Sequence, residues 1–422
     1  MADGRPPGGR EVWIVNHYAD APDRPAGPRH FQLARQLVEQ GRRVTIFAAG
    51  FSHVKGREER VPPGRLYKTG EFEGVRFVWT WTFPYQGNTW RRQVNMLSFL
   101  ITFLIVQTRF RKPDSVLGST VHPFAALGAW FVARVRGARY VFEIRDLWPQ
   151  TLVDLGAMRV GSPGERLLRS IEAFLVRHAS AVVTLLPGIR DYLLERGLPA
   201  DHVVYIPNGV DLAAFDSVPA DEPEQAARVA RSLDAVARLR TEGRLVLGYV
   251  GALGRVNQIE IVINAALLAE RRSPGRIGLV IIGDGPERPA LEQLVGAGDP
   301  VAFGPTVQRR FVPQLLRGMD AAVVHATETP VYRYGISFNK LFEYMAAEIP
   351  VIFACSSAYD PVATTGAGLS VRPDDSEDLA EAFLELARRT PEERAEMGAI
   401  GRAYVSREHN IETLGKQLAA VL

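Results

Sequence analysis

The stretch Tyr334–Ala347, YGISFNKLFEYMAA, sets an ammonium and a carboxylate, Lys340 and Glu343, near the start of a helical pattern. Phe338, Leu341, Phe342 and Met345 recur at helical spacing, and the apolar DAAVVH at 320–325 reads as a short buried strand just upstream. Gly335 eases the turn, and Ser337 stands where it would cap the helix. The first turn then offers backbone N–H groups over Ser337, Asn339, Lys340 and Leu341, the positive end of the dipole and the Lys340 charge, a combination suited to a phosphate. Glu343, one turn deeper, is placed to accept hydrogen bonds from a ribose beside that phosphate. On these residues alone, an ordinary capped helix with a solvated Lys and Glu stands as the alternative.

Other chemistry-bearing residues fall directly after apolar runs. His122 follows VLGST, and Arg145 and Asp146 follow VFEI; Arg255 closes GALGR after LVLGYV. In open parallel sheets ligands sit off the carboxyl ends of the strands, which makes such positions informative. The first strand, Glu11–Val15, runs into NHYADAPDRPAGPRH, which lacks the GxGxxG spacing of a dinucleotide fingerprint. This loop reads as one that closes over a ligand, with Gly27 near the start of the next helix and Arg29 and His30 available to it; an ordinary surface loop is the alternative.

The elements that must position these residues alternate regularly: strand, helix, strand, through residue 206 and again from 245 to 354. That pattern predicts two open α/β domains in tandem, each a parallel sheet covered on both faces. Expected boundaries are 1–209, 210–404 and a terminal helix over 405–422. Arg91–Lys112 is nearly apolar all round with basic ends. It reads as a wholly buried helix or as a surface that docks on an anionic membrane.

The 422 residues carry a net charge of only +3, so no general nucleic-acid affinity follows. Of the 50 cations only five are lysines, which hints that an ammonium is wanted at 340. A single cysteine, Cys355 in the apolar PVIFAC, excludes an intrachain disulfide and reads as a structural thiol in a reducing compartment. MADGRPPGGR does not read as a signal peptide, and the longest apolar run, Met96–Val106, is far short of a membrane span.

With these residues in hand the sequence resembles nucleotide-sugar glycosyltransferases of the GT-B fold, the large retaining family four. IPNGVD at 206–211 is similar to that family's interdomain hinge. GDGPERPALEQL at 283–294, VAFG at 301–304 and VPQLLRGMDAAVV at 312–324 are similar to its C-terminal domain in order and spacing. SFNKLFEYMAA, HPFAAL at 122–127 and EIRDLWPQ at 143–150 most resemble L-fucosamine transferases of surface-polysaccharide synthesis. The resemblance implies two Rossmann-like doubly wound domains facing a central cleft, with C-terminal helices returning to the N-terminal domain. It implies a donor side over Ser337, Asn339 and Lys340 with the ribose-holding Glu343, to which Gly27, Arg255, Gly283 and Leu341 are added as further donor-side candidates. It places His122 against the transferred sugar. Asp146 is the candidate base, and Arg29, His30 and Arg145 form the acceptor side.

Three positions depart from the family pattern. Gly335 stands where the first Glu of E-x7-E holds the donor sugar, and Ala252 and Asn257 stand where a phosphate-binding Arg and Lys are usual. Arg255, between them, is the substitute. The expected reaction breaks an anomeric C–O bond as a diphosphate leaves, so fixed cations aimed at that diphosphate favour the transition state. No Asp-x-Asp loop and no His/Cys cluster is visible, so no cofactor and no metal are expected. The expected partners are a UDP-linked donor, with an N-acetylated amino sugar as one candidate, and a glycan or lipid-linked acceptor, at a cytoplasmic location peripheral to the inner membrane face. A sugar-nucleotide epimerase and a non-catalytic nucleotide-sugar binder are the competing readings.

Overall fold

A computed structural model describes residues 9–23, 29–53, 55–87, 89–120, 122–154, 156–219 and 222–422. The chain divides into two compact units, Met1–Pro207 with Ile411–Leu422, and Asn208–Asn410.

The first unit runs β1 (Glu11–Val15), α1 (Arg29–Glu39), β2 (Arg43–Ala49), β3 (Tyr67–Phe72), β4 (Val75–Thr80), α2 (Trp90–Val106), β5 (Ser115–Ser119), α3 (Pro123–Arg136), β6 (Arg139–Ile144), β7 (Ala181–Thr184) and β8 (Val203–Tyr205). These strands form one sheet in the order β8-β7-β6-β5-β1-β2-β4-β3, parallel throughout except for the β3–β4 hairpin. Glu73 and Gly74 both take positive φ (46° and 77°) in that hairpin turn, which matches the right-handed twist of its strands. Strand order reverses on either side of β1: chain succession goes to β2 on one side and resumes with β5 on the other. Such a switch point opens a crevice between the carboxyl ends of the two strands.

The C-terminal helix, Ile411–Val421, belongs to this unit: Ile411, Leu414 and Leu418 are buried in one core with Phe31, Leu33 and Leu37 of α1. It begins at Ile411 rather than 405 because the helix before it continues unbroken to Glu408. The expected helix over 91–112 is shorter, ending at Val106 before a 3-10 turn, Gln107–Arg109, and it is not wholly buried. Met96, Phe99, Phe103 and Val106 face the core, whereas Leu97 (47%), Ile101 (51%) and Ile105 (46%) are exposed along the opposite side.

The second unit holds β9 (Leu245–Val250), β10 (Ile277–Ile282), β11 (Val301–Gly304), β12 (Ala321–His325), α4 (Asn339–Ala346), β13 (Val351–Ala354), β14 (Gly368–Val371) and α5 (Pro391–Glu408). The order β11-β10-β9-β12-β13-β14 is parallel throughout and has its switch point between β9 and β12. Both units therefore have the α/β doubly wound architecture of the GT-B fold.

Gly415 of the C-terminal helix meets α1 so closely that a Cβ there would overlap the Gln36 side chain. Helix propensity alone favours other residues over Gly by up to ~1 kcal/mol. Gly415→Val should nonetheless lower stability by about 1–3 kcal/mol through overpacking, read as a lower denaturant midpoint. An unchanged or raised midpoint would show that the helix is not held against α1.

Candidate functional site

A buried carboxylate underlies the loops at the carboxyl edge of the first sheet. Glu143, fully buried near the end of β6, accepts from Arg29 Nε at 3.0 Å and lies 2.6 Å from His30 Nε2. Arg29 also donates to the carbonyls of Pro207 (2.5 Å) and Ile206 (2.7 Å). Asn16 donates to His30 Nδ1 at 3.1 Å, so the ring proton is on Nε2 and points at Glu143. Burial by itself would raise the Glu143 pKa; Arg29 and His30 outweigh it and hold the carboxyl well below its usual range. Arg29 and His30, expected on the acceptor side, are thus fully engaged inside the unit, because Glu143 cannot be buried without them. Sequence reasoning missed Glu143, which lies inside a strand rather than after one. The Gly27 assignment lies outside the described residues.

Above this network sits His122, the N-cap of α3 and only 1% exposed. Its Nε2 lies 3.0 Å from Nδ1 of His17, the second residue after β1. The two rings face each other across the β1–β5 switch point. Burial, with help from the Arg92 charge, pushes the His122 pKa down to about 3; burial and His122 depress His17 well below the ordinary value. Burial thus holds both rings toward their neutral form. His17 was also missed, although the after-the-strand signal that picked out His122 applies equally to it. Arg145 donates its backbone N–H to Thr120 Oγ1 at 3.0 Å, and Asp146 is exposed beside it. Asp146 closes the turn with its backbone carbonyl, accepting from Trp148 N at 3.0 Å.

In the second unit α4 is pinned to β9 by Tyr344, whose buried hydroxyl donates to the Val250 carbonyl and accepts from the Val250 N–H, both at 2.8 Å. Ser337 does not cap this helix. The N-cap is Phe338, with no side-chain cap, and Ser337 Oγ instead accepts from Asn208 N at 3.0 Å. Asn208 also donates from its side chain to the Ser337 carbonyl (2.7 Å), and its own carbonyl lies 2.8 Å from His409 Nδ1. Of the first-turn amides, Leu341 N turns back to Phe338 O, while those of Asn339 and Lys340 have no carbonyl partner within the helix. The Leu341 side chain is core.

Lys340 reaches across the β12–β9 switch point to donate to Asn257 Oδ1 and, at 3.3 Å, to the Tyr249 hydroxyl. Asn257 in turn donates to the Ala252 carbonyl at 3.0 Å. The ammonium that the resemblance seeks at 257 is thus delivered to the same loop from 340. Burial lowers the Lys340 pKa to about 8. Arg255 is 92% exposed and 3.6 Å from Glu287, an exposed ion pair after β9. Gly283 lies so close to this loop that a Cβ would overlap the Gly251 carbonyl. Glu343 is held by Arg309: Nε donates to Oε1 at 2.8 Å and Nη2 to the same oxygen, which leaves Oε2 open to another donor. Arg309, just after β11, was not singled out from the sequence. Cys355 is buried, its thiol pushed up to about 12 by burial, in line with a structural role. Among the described residues no group of three or more His, Cys, Asp or Glu could hold a metal ion.

Residues 26–209 match the family described as a glycosyl transferase 4-like domain, and residues 244–389 match glycosyl transferases group 1. The chain thus joins a glycosyl transferase 4-like domain to a group 1 glycosyltransferase domain. This transferase is 27% identical over 302 residues to WcaI of Escherichia coli, named as a colanic acid biosynthesis glycosyl transferase, with 69% of this chain and 71% of WcaI covered. Its fold matches the sucrose-phosphate synthase of Thermosynechococcus elongatus with a TM-score of 0.72 at 19% identity, covering 98% of each chain. It also matches HepE of Anabaena, solved with UDP and glucose, with a TM-score of 0.65 at 15% identity over 97% of this chain and 98% of that one.

The buried charge cluster in the first unit of the transferase gives a direct test. Glu143→Ala leaves Arg29 charged, buried and unpaired, and should cost about 3–5 kcal/mol in chemical denaturation. Glu143→Gln keeps one acceptor oxygen for Arg29, though its NH2 faces the His30 N–H, and should cost less than Glu143→Ala. Equal, small losses for both variants would mean that the charge does not hold this edge together.

Proposed function

We propose that the transferase moves a sugar, with an N-acetylated amino sugar the first candidate, from a UDP-linked donor to a glycan or lipid-linked acceptor with retention of configuration. The observation that carries the reading is the Lys340 ammonium, held over the β9 loop at the uncapped end of α4 with the open Oε2 of Glu343 one turn on. Lys340, the Asn339 and Lys340 amides and the exposed Arg255 charge would meet the diphosphate, and Glu343, steadied by Arg309, the ribose. Charge that grows on the diphosphate as the anomeric bond breaks is then met by groups already in place. A diphosphate oxygen would take the acceptor proton on the same face. Retention rests on the family resemblance, and the UDP assignment draws on HepE, whose structure contains UDP.

Incubation with a nucleotide-sugar panel and candidate acceptors tests the reading. Nucleotide release that requires acceptor supports transfer; an isomeric nucleotide sugar, or binding without turnover, overturns it. Lys340→Ala should weaken UDP binding by ~1.5–3 kcal/mol, the typical loss of a charged contact. The sign with pH follows from the depressed pKa: the ammonium is present below about 8 and lost above it. UDP affinity of the wild type should therefore fall as pH rises through that value, and the fall should vanish in Lys340→Ala. Glu343→Ala should weaken UDP more than Glu343→Gln does, and equal affinities would remove Glu343 from the ribose.

The lipid-linked acceptor is supported by the exposed side of α2. Trp90, Leu97, Ile101 and Ile105, with Phe131 and Val135 of α3, expose large apolar side chains. No Asp or Glu occurs between Glu73 and Asp114 or between Asp114 and Glu143, whereas nine Arg and Lys do. Arg91, Arg109, Arg111, Lys112 and Arg134 among them are exposed. Exposed apolar side chains in a stretch of nine cations and a single carboxylate, Asp114, match an anionic bilayer surface. Binding to phosphatidylglycerol vesicles should fall with salt. Converting Arg109, Arg111 and Lys112 to Gln should weaken it roughly a hundredfold, at ~1 kcal/mol per cation. Equal binding to pure phosphatidylcholine vesicles, or none to either, would argue against this docking.

A further inference from the structure

We propose that His325 is a positioning residue: from the end of β12 it holds the turn that carries Asn257, and so sets the acceptor that the Lys340 ammonium meets. The ligand of that ammonium, a nucleoside diphosphate, rests on the transferase reading; the geometry does not. The 3-10 turn Arg255–Asn257 has no buried side chain, so packing does not fix it. Its carbonyls are gripped from β12 and the residues after it instead. His325 Nδ1 lies 3.0 Å from the Asn257 carbonyl, and the Thr327 N–H donates to the Val256 carbonyl at 3.0 Å. Gln258, the next residue, takes a φ of 39°, a left-handed conformation that a non-glycine residue keeps only where its surroundings impose it.

The direction of these bonds follows from a backbone donor. The Asp374 N–H donates to His325 Nε2 at 3.1 Å, so that nitrogen carries the lone pair. The proton of the fully buried, neutral ring is then on Nδ1, aimed at the Asn257 carbonyl. Asp374 is itself fixed, its Oδ2 accepting from Glu328 N at 3.0 Å. Burial holds the ring below the ordinary histidine pKa against the Asn257 carbonyl and the Asp374 carboxylate, 3.4 Å from Nε2, and the Lys340 charge pushes the same way as burial. The Asn257 amide has a direction too: its Nδ2 donates to the Ala252 carbonyl at 3.0 Å, which turns Oδ1 towards Lys340. Hydrogen bonds therefore run from Asp374 through His325 and Asn257 to Lys340. Without the His325 donor the Asn257 carbonyl is released, and a long, flexible lysine loses the fixed acceptor that orients it.

Substitution separates the two ring nitrogens. His325→Asn places an amide N–H where Nδ1 stands and gives up the Asp374 bond; His325→Gln reaches the Nε2 position and gives up the Asn257 bond. A ring that only fills the core would make the two variants equivalent. In the full chain carrying lysine labelled with 13C at the ε-carbon, the five lysines give five signals, and the one absent from Lys340→Arg is Lys340. That signal should move in His325→Gln and stay near its wild-type position in His325→Asn. UDP affinity, read by calorimetry, should fall about 10-fold in His325→Gln, because the ammonium remains but is no longer aimed. His325→Asn should recover most of that loss. On a Lys340→Ala background His325→Gln should weaken UDP no further, as expected of one residue that acts through another. An unmoved Lys340 signal in His325→Gln would overturn the proposal, as would equal UDP losses in the two variants or losses that add in the double variant. Should the wild type bind no UDP, the transferase reading fails, and the lysine signals still decide whether His325 positions Lys340.

Discussion

The first unit depends on one buried carboxylate. Glu143 cannot be charged inside the sheet unless cations and donors surround it, and Arg29, His30 and Asn16 supply them from α1 and the end of β1. Groups in this network flank the loops that carry chemistry. Asn16 precedes His17; Ser119, which accepts from Asn16 at 3.3 Å, and Thr120, which donates its N–H to the Glu143 carbonyl at 3.0 Å, lead to His122. Glu143 itself leads to Arg145 and Asp146. A charge network beneath the loops fixes where they leave the sheet, and the loops fix the side chains. Arg29 extends the same control to the carbonyls of 206 and 207, where the chain leaves this unit.

The second unit solves the same problem without a buried ion pair. Its switch point is closed by Tyr344, which holds α4 to β9 through one hydroxyl, and by glycines that let the β9 and β10 loops touch backbone to backbone. Lys340 then reaches a loop whose own residue at that place is the neutral Asn257. Moving the ammonium from loop to helix keeps a cation at the crevice while changing its tether. A lysine at the first turn of a buried helix has less freedom than one on a loop, and the helix dipole adds to its field.

The two clusters differ in chemistry in a way that follows from burial. In the first unit, burial strips both histidines of charge and leaves hydrogen-bonding direction as their only specificity. In the second, Lys340 remains near its titration point and the exposed Arg255 is charged, so that surface offers a field for anions. Neutral, directional groups suit hydroxyls, and cations suit phosphates.

The alternation of short apolar runs with amphipathic helices was enough, in the sequence alone, to determine two parallel α/β sheets, because the period of apolar residues is a local property of the chain. It also marked His122, Lys340, Glu343 and Arg145, since residues at strand ends and helix starts are found by counting along the chain. What only the tertiary structure decided are the partners. Whether Arg29 and His30 serve a ligand or a buried Glu143 depends on a strand more than a hundred residues away. That Ser337 binds Asn208 rather than capping α4, that Arg309 holds Glu343, and that His17 meets His122 depend on which strands become neighbours. Likewise the apolar sequence of α2 was compatible with a core helix or a surface one, and only the limited area of sheet and α3 available to cover it left Leu97, Ile101 and Ile105 outside. Periodicity is set by neighbours in sequence, but burial and hydrogen bonding are set by neighbours in space.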